Sequence, residues 1–257
     1  MLLTIFHMRI NWRASRGSEN ELAKAQAMLR GEQMTAATSA RTSMRANEIQ
    51  INAGSVLLNG ELKVPDKATG IVSFAHGSGS SRHSPRNQFV ARVIRDAGVG
   101  TLLFDLLTRE EEVIDNYTRE FRFDINLLAR RLVAVTGWLA GETTTSHLRP
   151  GFFGSSTGGG AALVAAAELG EQIGAIVSRG GRPDLAGKAL GHVKAPTLLI
   201  VGGLDEPVIR MNQNAYAQLR CEKELKIIPG ATHLFEEAGK LETVADLAAT
   251  WFMKYLR

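Results

Sequence analysis

Only one cysteine, Cys221, occurs in the 257 residues. That excludes an internal disulfide or a thiolate metal cluster, and with them a small secreted fold held by cross-links. Long apolar runs are missing as well. The opening stretch Met1–Phe6 is too short for a signal-peptide core, and nothing approaches the roughly 20 apolar residues of a membrane span. Secretion and membrane insertion are therefore not expected, and the cytoplasm is the expected compartment. Excess charge is missing from the body of the chain. Of 30 basic and 26 acidic residues, seven and three fall within 1–47, which leaves 23 of each sign afterwards. No basic face remains to follow phosphates, so nucleic acid is not an expected partner. Neither G-x-x-x-x-G-K-[ST] nor G-x-G-x-x-G occurs, which removes the usual phosphate-binding and dinucleotide fingerprints.

What the chain does have is glycine, 26 residues against a usual share of about 7%. Residues 1–47 read as an N-terminal extension, arginine-rich like an organelle presequence, or the product of a start placed upstream of Met34 or Met44. From residue 48 to 257 the pattern is that of one domain. Ile49–Leu58 and Glu61–Val64 flank Asn59-Gly60 and predict a hairpin, because Asn-Gly suits a type I′ turn. Short apolar runs follow at 70–75, 100–104, 149–153, 175–178, 197–201 and 225–228. Helical patterns lie between them at 87–97, 124–140, 157–169, 207–220 and 241–256. Continuous apolar strands alternating with amphipathic helices predict an α/β fold, a doubly wound, mostly parallel sheet covered on both faces. Chemistry in such sheets gathers beyond the carboxyl ends of the strands.

The strand ending at Phe153 runs into Gly154-Ser155-Ser156-Thr157-Gly158 and then into an alanine-rich helix. G-x-S-x-G between strand and helix is the pattern that projects a strained serine hydroxyl over a sheet, which nominates Ser156 as a nucleophile. The competing reading is a glycine-rich phosphate cradle at a helix N-terminus. A serine hydroxyl needs a base, and the base needs an orienting carboxylate. Asp205 follows the run ending at Val201, and His233 follows the run ending at Ile228, so both arrive in the order this fold demands. His76 precedes the serine and is expected to stabilise its own loop. Asp184 is the fallback orienter, and Glu206 reads as solvated. Oxyanion donors are expected from the amides of Thr157, directly after the nucleophile, and Ser78, favoured over Gly79 in the loop after Ala75.

Together, Phe74-Ala75-His76-Gly77-Ser78-Gly79, Gly154-x-Ser156-x-Gly158, Gly202-Gly203-Leu204-Asp205 and Gly230-Ala231-Thr232-His233 resemble the α/β-hydrolase superfamily, nearest its dienelactone hydrolase-related branch. The resemblance covers residues 48–257. It implies an eight-stranded sheet, a Ser-His-Asp triad and hydrolysis of a carboxylic ester with no metal and no organic cofactor. Dienelactone hydrolases proper use a cysteine nucleophile where this chain has Ser156. Gly79, Arg82, His83 and Arg179 lie in loops or strand ends beside the expected site and are candidates to bind a small-molecule ester. The two arginines could pair with a substrate carboxylate or phosphate, or with loop acids such as Asp184. Residues 105–123, with Glu110-Glu111-Glu112 and Tyr117, form an insertion expected either to drape over the pocket or to be a solvated charged face. It is too short for a lipase-type lid domain. Peptidase or thioesterase chemistry on the same triad, or a non-catalytic binding protein of this fold, are the rival readings.

Overall fold

The computed structural model describes residues 48–257, and the extension expected over 1–47 lies outside the described residues. Eight strands form one sheet: β1 (Glu48–Asn52), β2 (Leu57–Lys63), β3 (Gly70–Ala75), β4 (Gly100–Phe104), β5 (Arg149–Ser155), β6 (Ala175–Arg179), β7 (Thr197–Gly202) and β8 (Lys223–Ile228). Their spatial order is β1-β2-β4-β3-β5-β6-β7-β8. The first two are antiparallel to their neighbours and every later pairing is parallel. Strands β3, β4, β6 and β7 are buried along their whole length, which is why they read as unbroken apolar runs.

Alternate residues feed two cores. Phe152 and Ile176 point into one, shared with α3 (Ile125–Gly141) and α4 (Thr157–Leu169). Phe153 and Val177 point into the other, shared with α1 (Pro85–Asp96) and α6 (Lys240–Tyr255). In that second core the rings of Phe74 and Phe153 lie 4.8 Å apart, a tilted contact across the β3–β5 pair. Helix α5 (Glu206–Gln218) follows β7. Among the described residues no helix is long and apolar enough to cross a membrane.

The first hairpin departs from expectation. Its turn lies at 53–56, where Gly54 adopts φ +80° and the Ala53 amide donates to the Val56 carbonyl at 2.9 Å. Asn59 and Gly60 are instead interior residues of β2, opposite Gln50 and Ile49. Strand pairing prevails over local turn preference here: the register sets Ile51 opposite Leu58 and Ile49 opposite Gly60, which keeps Asn59 and Gly60 inside the strand. Helix α2 (Arg109–Thr118) was not expected, nor were the 3-10 segments at Phe121–Phe123, Gly170–Gln172 and Pro183–His192. Thr108 and Glu111 form a reciprocal capping box at the start of α2, so one member of the Glu110-Glu111-Glu112 run closes a helix end.

Candidate active site

At the carboxyl end of β5 the backbone turns sharply enough to exclude side chains. A Cβ on Gly154 would lie 2.6 Å from the Gly158 carbonyl oxygen, and one on Gly158 would lie 2.1 Å from that of Ala75. Between them Ser156 adopts φ +50°, ψ −122°, a conformation costing about 1–3 kcal/mol that the surroundings must impose. They do so through three hydrogen bonds. The Ser156 carbonyl accepts from the amides of Arg182 (2.9 Å) and Gly159 (3.0 Å), and its own amide donates to the Arg179 carbonyl at 3.4 Å. Helix α4 begins at the next residue, so the serine stands at a positive helix end.

The loops after β7 and β8 are interlocked. The Gly203 amide donates to the Ile228 carbonyl (2.8 Å), and the Leu204 amide to that of Ala231 (2.9 Å). Gly202 is obligatory at the crossing, since a Cβ there would meet the Thr232 carbonyl oxygen at 2.4 Å. The Glu237 carboxylate accepts from the Thr232 amide at 3.1 Å, and this hydrogen bond holds the carboxyl below its usual range. Interlocking delivers Asp205 to His233: Asp205 Oδ2 lies 2.6 Å from His233 Nδ1, which fixes the tautomer with Nε2 free to face a reactant. Asp205 is 13% exposed and His233 40%, as expected of a carboxylate behind an accessible imidazole. Gly180 packs against the imidazole, its would-be Cβ 3.5 Å from Nδ1 and Cε1, and Gly180 follows the residue that holds the Ser156 amide. Ser156 Oγ makes no hydrogen bond among the described residues. The proton-transfer contact to His233 is therefore unmade in this state, a common situation before substrate binds.

The two expected oxyanion donors are neighbours, with one difference. Thr157 heads α4, where a first-turn amide has no acceptor within the helix. The Ser78 amide already has an acceptor, the Thr157 hydroxyl at 3.0 Å, which a substrate oxygen must displace or share. The loop carrying Ser78 is pressed onto the nucleophile, for a Cβ on Gly77 would lie 3.0 Å from Ser156 Cβ. Exposed Gly79, at φ +70°, completes the bend. His76 anchors the loop from beneath. Its Nδ1 donates to the Gly77 carbonyl at 3.0 Å and its Nε2 accepts from the Leu106 amide at 3.1 Å. Burial lowers its pKa, so it stays neutral, in the structural role expected of it.

The arginines divide. Arg82 is committed within the protein: its guanidinium pairs with Asp105, whose other oxygen accepts the Arg82 amide at 2.8 Å. Of the two roles expected of it, pairing with a loop acid is the one observed; of the guanidinium only Nη1 makes this contact, and Nε is buried without a partner. His83 is exposed, and its amide donates to the Ser81 hydroxyl at 3.3 Å. Asp184 bonds Arg182 at 2.7 and 2.9 Å and is not the orienter. Arg179 is buried beside the nucleophile without an acid partner among the described residues.

A cleft opens over the Ser78–Thr157 junction. The insertion supplies its outer wall, with Leu106, Asn116 and Arg122 facing Gly79 and Ser80. Both expectations for residues 105–123 hold in part: the segment walls the cleft, and Glu110, Glu112 and Tyr117 are exposed. Arg122 is braced by Asp115, itself 2% exposed, which accepts the Arg122 amide at 2.9 Å. Sequence reasoning did not single out Arg122; its signal is position, three residues beyond a left-handed cap at Arg119 that returns the chain to the cleft.

A dienelactone hydrolase from Anabaena variabilis has the same fold, with a TM-score of 0.81 and 63% identity over 82% of this chain and 97% of that one. The chain belongs to the dienelactone hydrolase-like α/β-hydrolases. Est1E of Butyrivibrio proteoclasticus, at 16% identity and a TM-score of 0.67 over 81% of this chain and 98% of its own, shares the fold. A Mycobacterium tuberculosis protein with the provisional name phosphoribosyl transferase is 58% identical over 213 residues, 83% of this chain. Those residues are 47% of the mycobacterial protein, so the chain spans about half the length of the curated relatives it matches. No protein-family model matches the sequence.

Proposed function

We propose that this α/β-hydrolase is a serine esterase acting on small to medium carboxylic esters through an acyl-enzyme. The observation that carries this reading is the 2.6 Å contact of Asp205 with His233, supported by Gly180, which packs on the imidazole and follows the residue that holds the Ser156 amide. The reaction requires Ser156 Oγ to be presented to His233 Nε2. The imidazole takes the hydroxyl proton as Oγ attacks the ester carbonyl, and Asp205 stabilises the imidazolium so formed. The carbonyl oxygen becomes negative and is received by the Thr157 amide and the Ser78 amide as the latter exchanges its Thr157 hydroxyl partner. Each such donor contributes about 2.7–4 kcal/mol of barrier lowering. Collapse of the tetrahedral adduct expels the alcohol, which takes the proton from His233. Water, deprotonated by the same base, then attacks the acyl-serine and releases the acid. Interactions supplied by the chain's own side chains and amides account for each step, so no cofactor is invoked.

The name of the mycobacterial relatives suggests phosphoribosyl transfer. This reading assigns that chemistry to the portion of those proteins that the chain does not cover. Two measurements test the esterase. Hydrolysis of 4-nitrophenyl acetate is expected to fall at least about 10³-fold in Ser156→Ala, and a fluorophosphonate probe is expected to label the wild type at Ser156 and to leave that variant unlabelled. Undiminished turnover by Ser156→Ala removes the proposal.

A further inference from the structure

Five threonines of the described residues are buried, and their hydroxyl protons differ in where they go. Thr136, Thr145 and Thr197 each donate to a backbone carbonyl, at 2.9, 2.7 and 2.9 Å. Thr101 and Thr157 act only as acceptors. Thr101 accepts from Arg95 at 2.9 Å and is not among the residues that line the cleft. Thr157 is 3% exposed and does line it. Its Oγ1 accepts from the Ser78 amide at 3.0 Å, and nothing among the described residues accepts its proton.

Position explains the difference. A threonine inside a helix returns its hydroxyl to the carbonyl four residues back, as Thr136 does to Leu132. Thr157 opens α4, so the carbonyl four residues back, that of Phe153, belongs to β5 and not to the helix. A hydroxyl has one proton and two acceptor lone pairs. The Ser78 amide engages the acceptor side, and the proton is the capacity left over, at the wall that Thr157 shares with Gly77 and Ser78. Gly77 is in turn pressed onto the nucleophile, its would-be Cβ 3.0 Å from Ser156 Cβ. Oγ1 therefore stands at the junction of the two oxyanion amides, since it belongs to the residue of one and is hydrogen-bonded to the other. A negative oxygen drawn to those amides meets this hydroxyl. Acting only as an acceptor, the hydroxyl would plug the hole and repel that oxygen; its free proton gives the contact the opposite sign.

Resting on the esterase reading, we infer that the Thr157 hydroxyl is a third oxyanion donor, supplied by a side chain, beside the amides of Thr157 and Ser78. As the Ser78 amide passes from Oγ1 to the substrate oxygen, Oγ1 turns its proton to the same atom. The proton stays on Thr157 throughout, and no bond to Thr157 forms or breaks. Between turnovers the hydroxyl keeps the Ser78 amide satisfied.

Donor and plug move the rate in opposite directions. Thr157→Val keeps the shape and removes the hydroxyl, whereas Thr157→Ser keeps the hydroxyl. With 4-nitrophenyl acetate, kcat and kcat/KM of Thr157→Val are expected to fall together by about 10²-fold, as for a donor that acts only in the transition state, with Thr157→Ser within about tenfold of the wild type. A valine enzyme as fast as the wild type or faster overturns the inference, and so does a serine enzyme as slow as the valine one. Thr157→Ala repeats the test if valine does not fold. A second measurement needs no turnover. Trifluoroacetone is added to each protein: Ser156 Oγ bonds to its carbonyl carbon, His233 takes the hydroxyl proton, and the hemiketal oxygen is left negative in the hole. Fluorine NMR titration is expected to show affinity lost in Thr157→Val by about the same factor as kcat/KM and kept in Thr157→Ser. If the wild type hydrolyses no ester but the ketone binds in this order, the donor stands and the esterase reading fails. If esters are hydrolysed and valine leaves both rate and ketone affinity unchanged, the inference alone is overturned. A wild type that neither hydrolyses esters nor binds the ketone overturns both.

Discussion

A single methyl group on Gly158 probes how the oxyanion loop is seated. Its Cβ would stand 2.1 Å from the Ala75 carbonyl oxygen, 2.6 Å from the Ala75 carbonyl carbon and 2.7 Å from the His76 carbonyl oxygen. Ordinary contact begins near 3.4 Å, so β3 and α4 must separate by about 1.3 Å. All three obstacles are backbone, and β3 is hydrogen-bonded to β4 and β5 on its two sides, so no flexible side chain can yield. The packing penalty is about 1–3 kcal/mol. In a domain of this size that lowers the melting temperature by roughly 2–4 °C for each kcal/mol. Catalysis is expected to suffer more. The strain falls between Ala75 and Thr157, and hence between the two oxyanion donors, where a displacement near 1 Å costs about 10²-fold in rate. Gly137→Ala in α3 is the matched control. Its Cβ would meet nothing within 4 Å, so it is expected to stabilise by about 0.4–1 kcal/mol and leave turnover alone. Steady-state hydrolysis of 4-nitrophenyl acetate and thermal melts of both variants decide the matter. A Gly158→Ala enzyme with wild-type turnover and melting temperature would refute the reasoning.

Asp205→Asn is expected to keep the fold and lose about 10⁴-fold in kcat, since an amide can hold the imidazole in the wrong tautomer. Stopped-flow acylation with the same ester measures it, and a loss under tenfold contradicts the assigned role. His76 predicts a pH dependence of stability. Burial lowers its folded pKa below the ordinary 6.5, so the unfolded chain binds a proton that the folded chain refuses. Stability is therefore full above that value and declines as pH falls through it, by up to about 1.4 kcal/mol per pH unit for one proton. Urea midpoints between pH 7 and 5 are expected to show this decline in the wild type and a shallower one in His76→Gln; equal slopes would exclude the assignment.

The order Ser156, Asp205, His233 was readable because each follows an apolar strand, and a strand's end is visible in sequence as the point where β-branched and aromatic residues give way to glycine. Strand runs in the sheet centre were readable for the same reason. Asn59-Gly60 misled because its turn preference is weaker than the pairing that runs β2 on through both residues, opposite β1. Helix α2 was missed although Thr108-x-x-Glu111 is a local start signal; its polar face obscured the period. The fate of the arginines could not be read at all. Arg82 meets Asp105 23 residues away, whereas Arg179 meets no acid, and only the folded geometry distinguishes them.

The strained conformation of Ser156 is imposed by neighbouring carbonyls and amides, and its hydroxyl contributes nothing to holding the turn. The elbow thus works as a socket, with a backbone mould that is indifferent to whether oxygen or sulfur occupies the γ position. Exchange of one nucleophilic element for the other can then proceed without rebuilding the scaffold. Reagent choice in this architecture becomes modular, set by one side-chain atom while the surrounding chain stays the same.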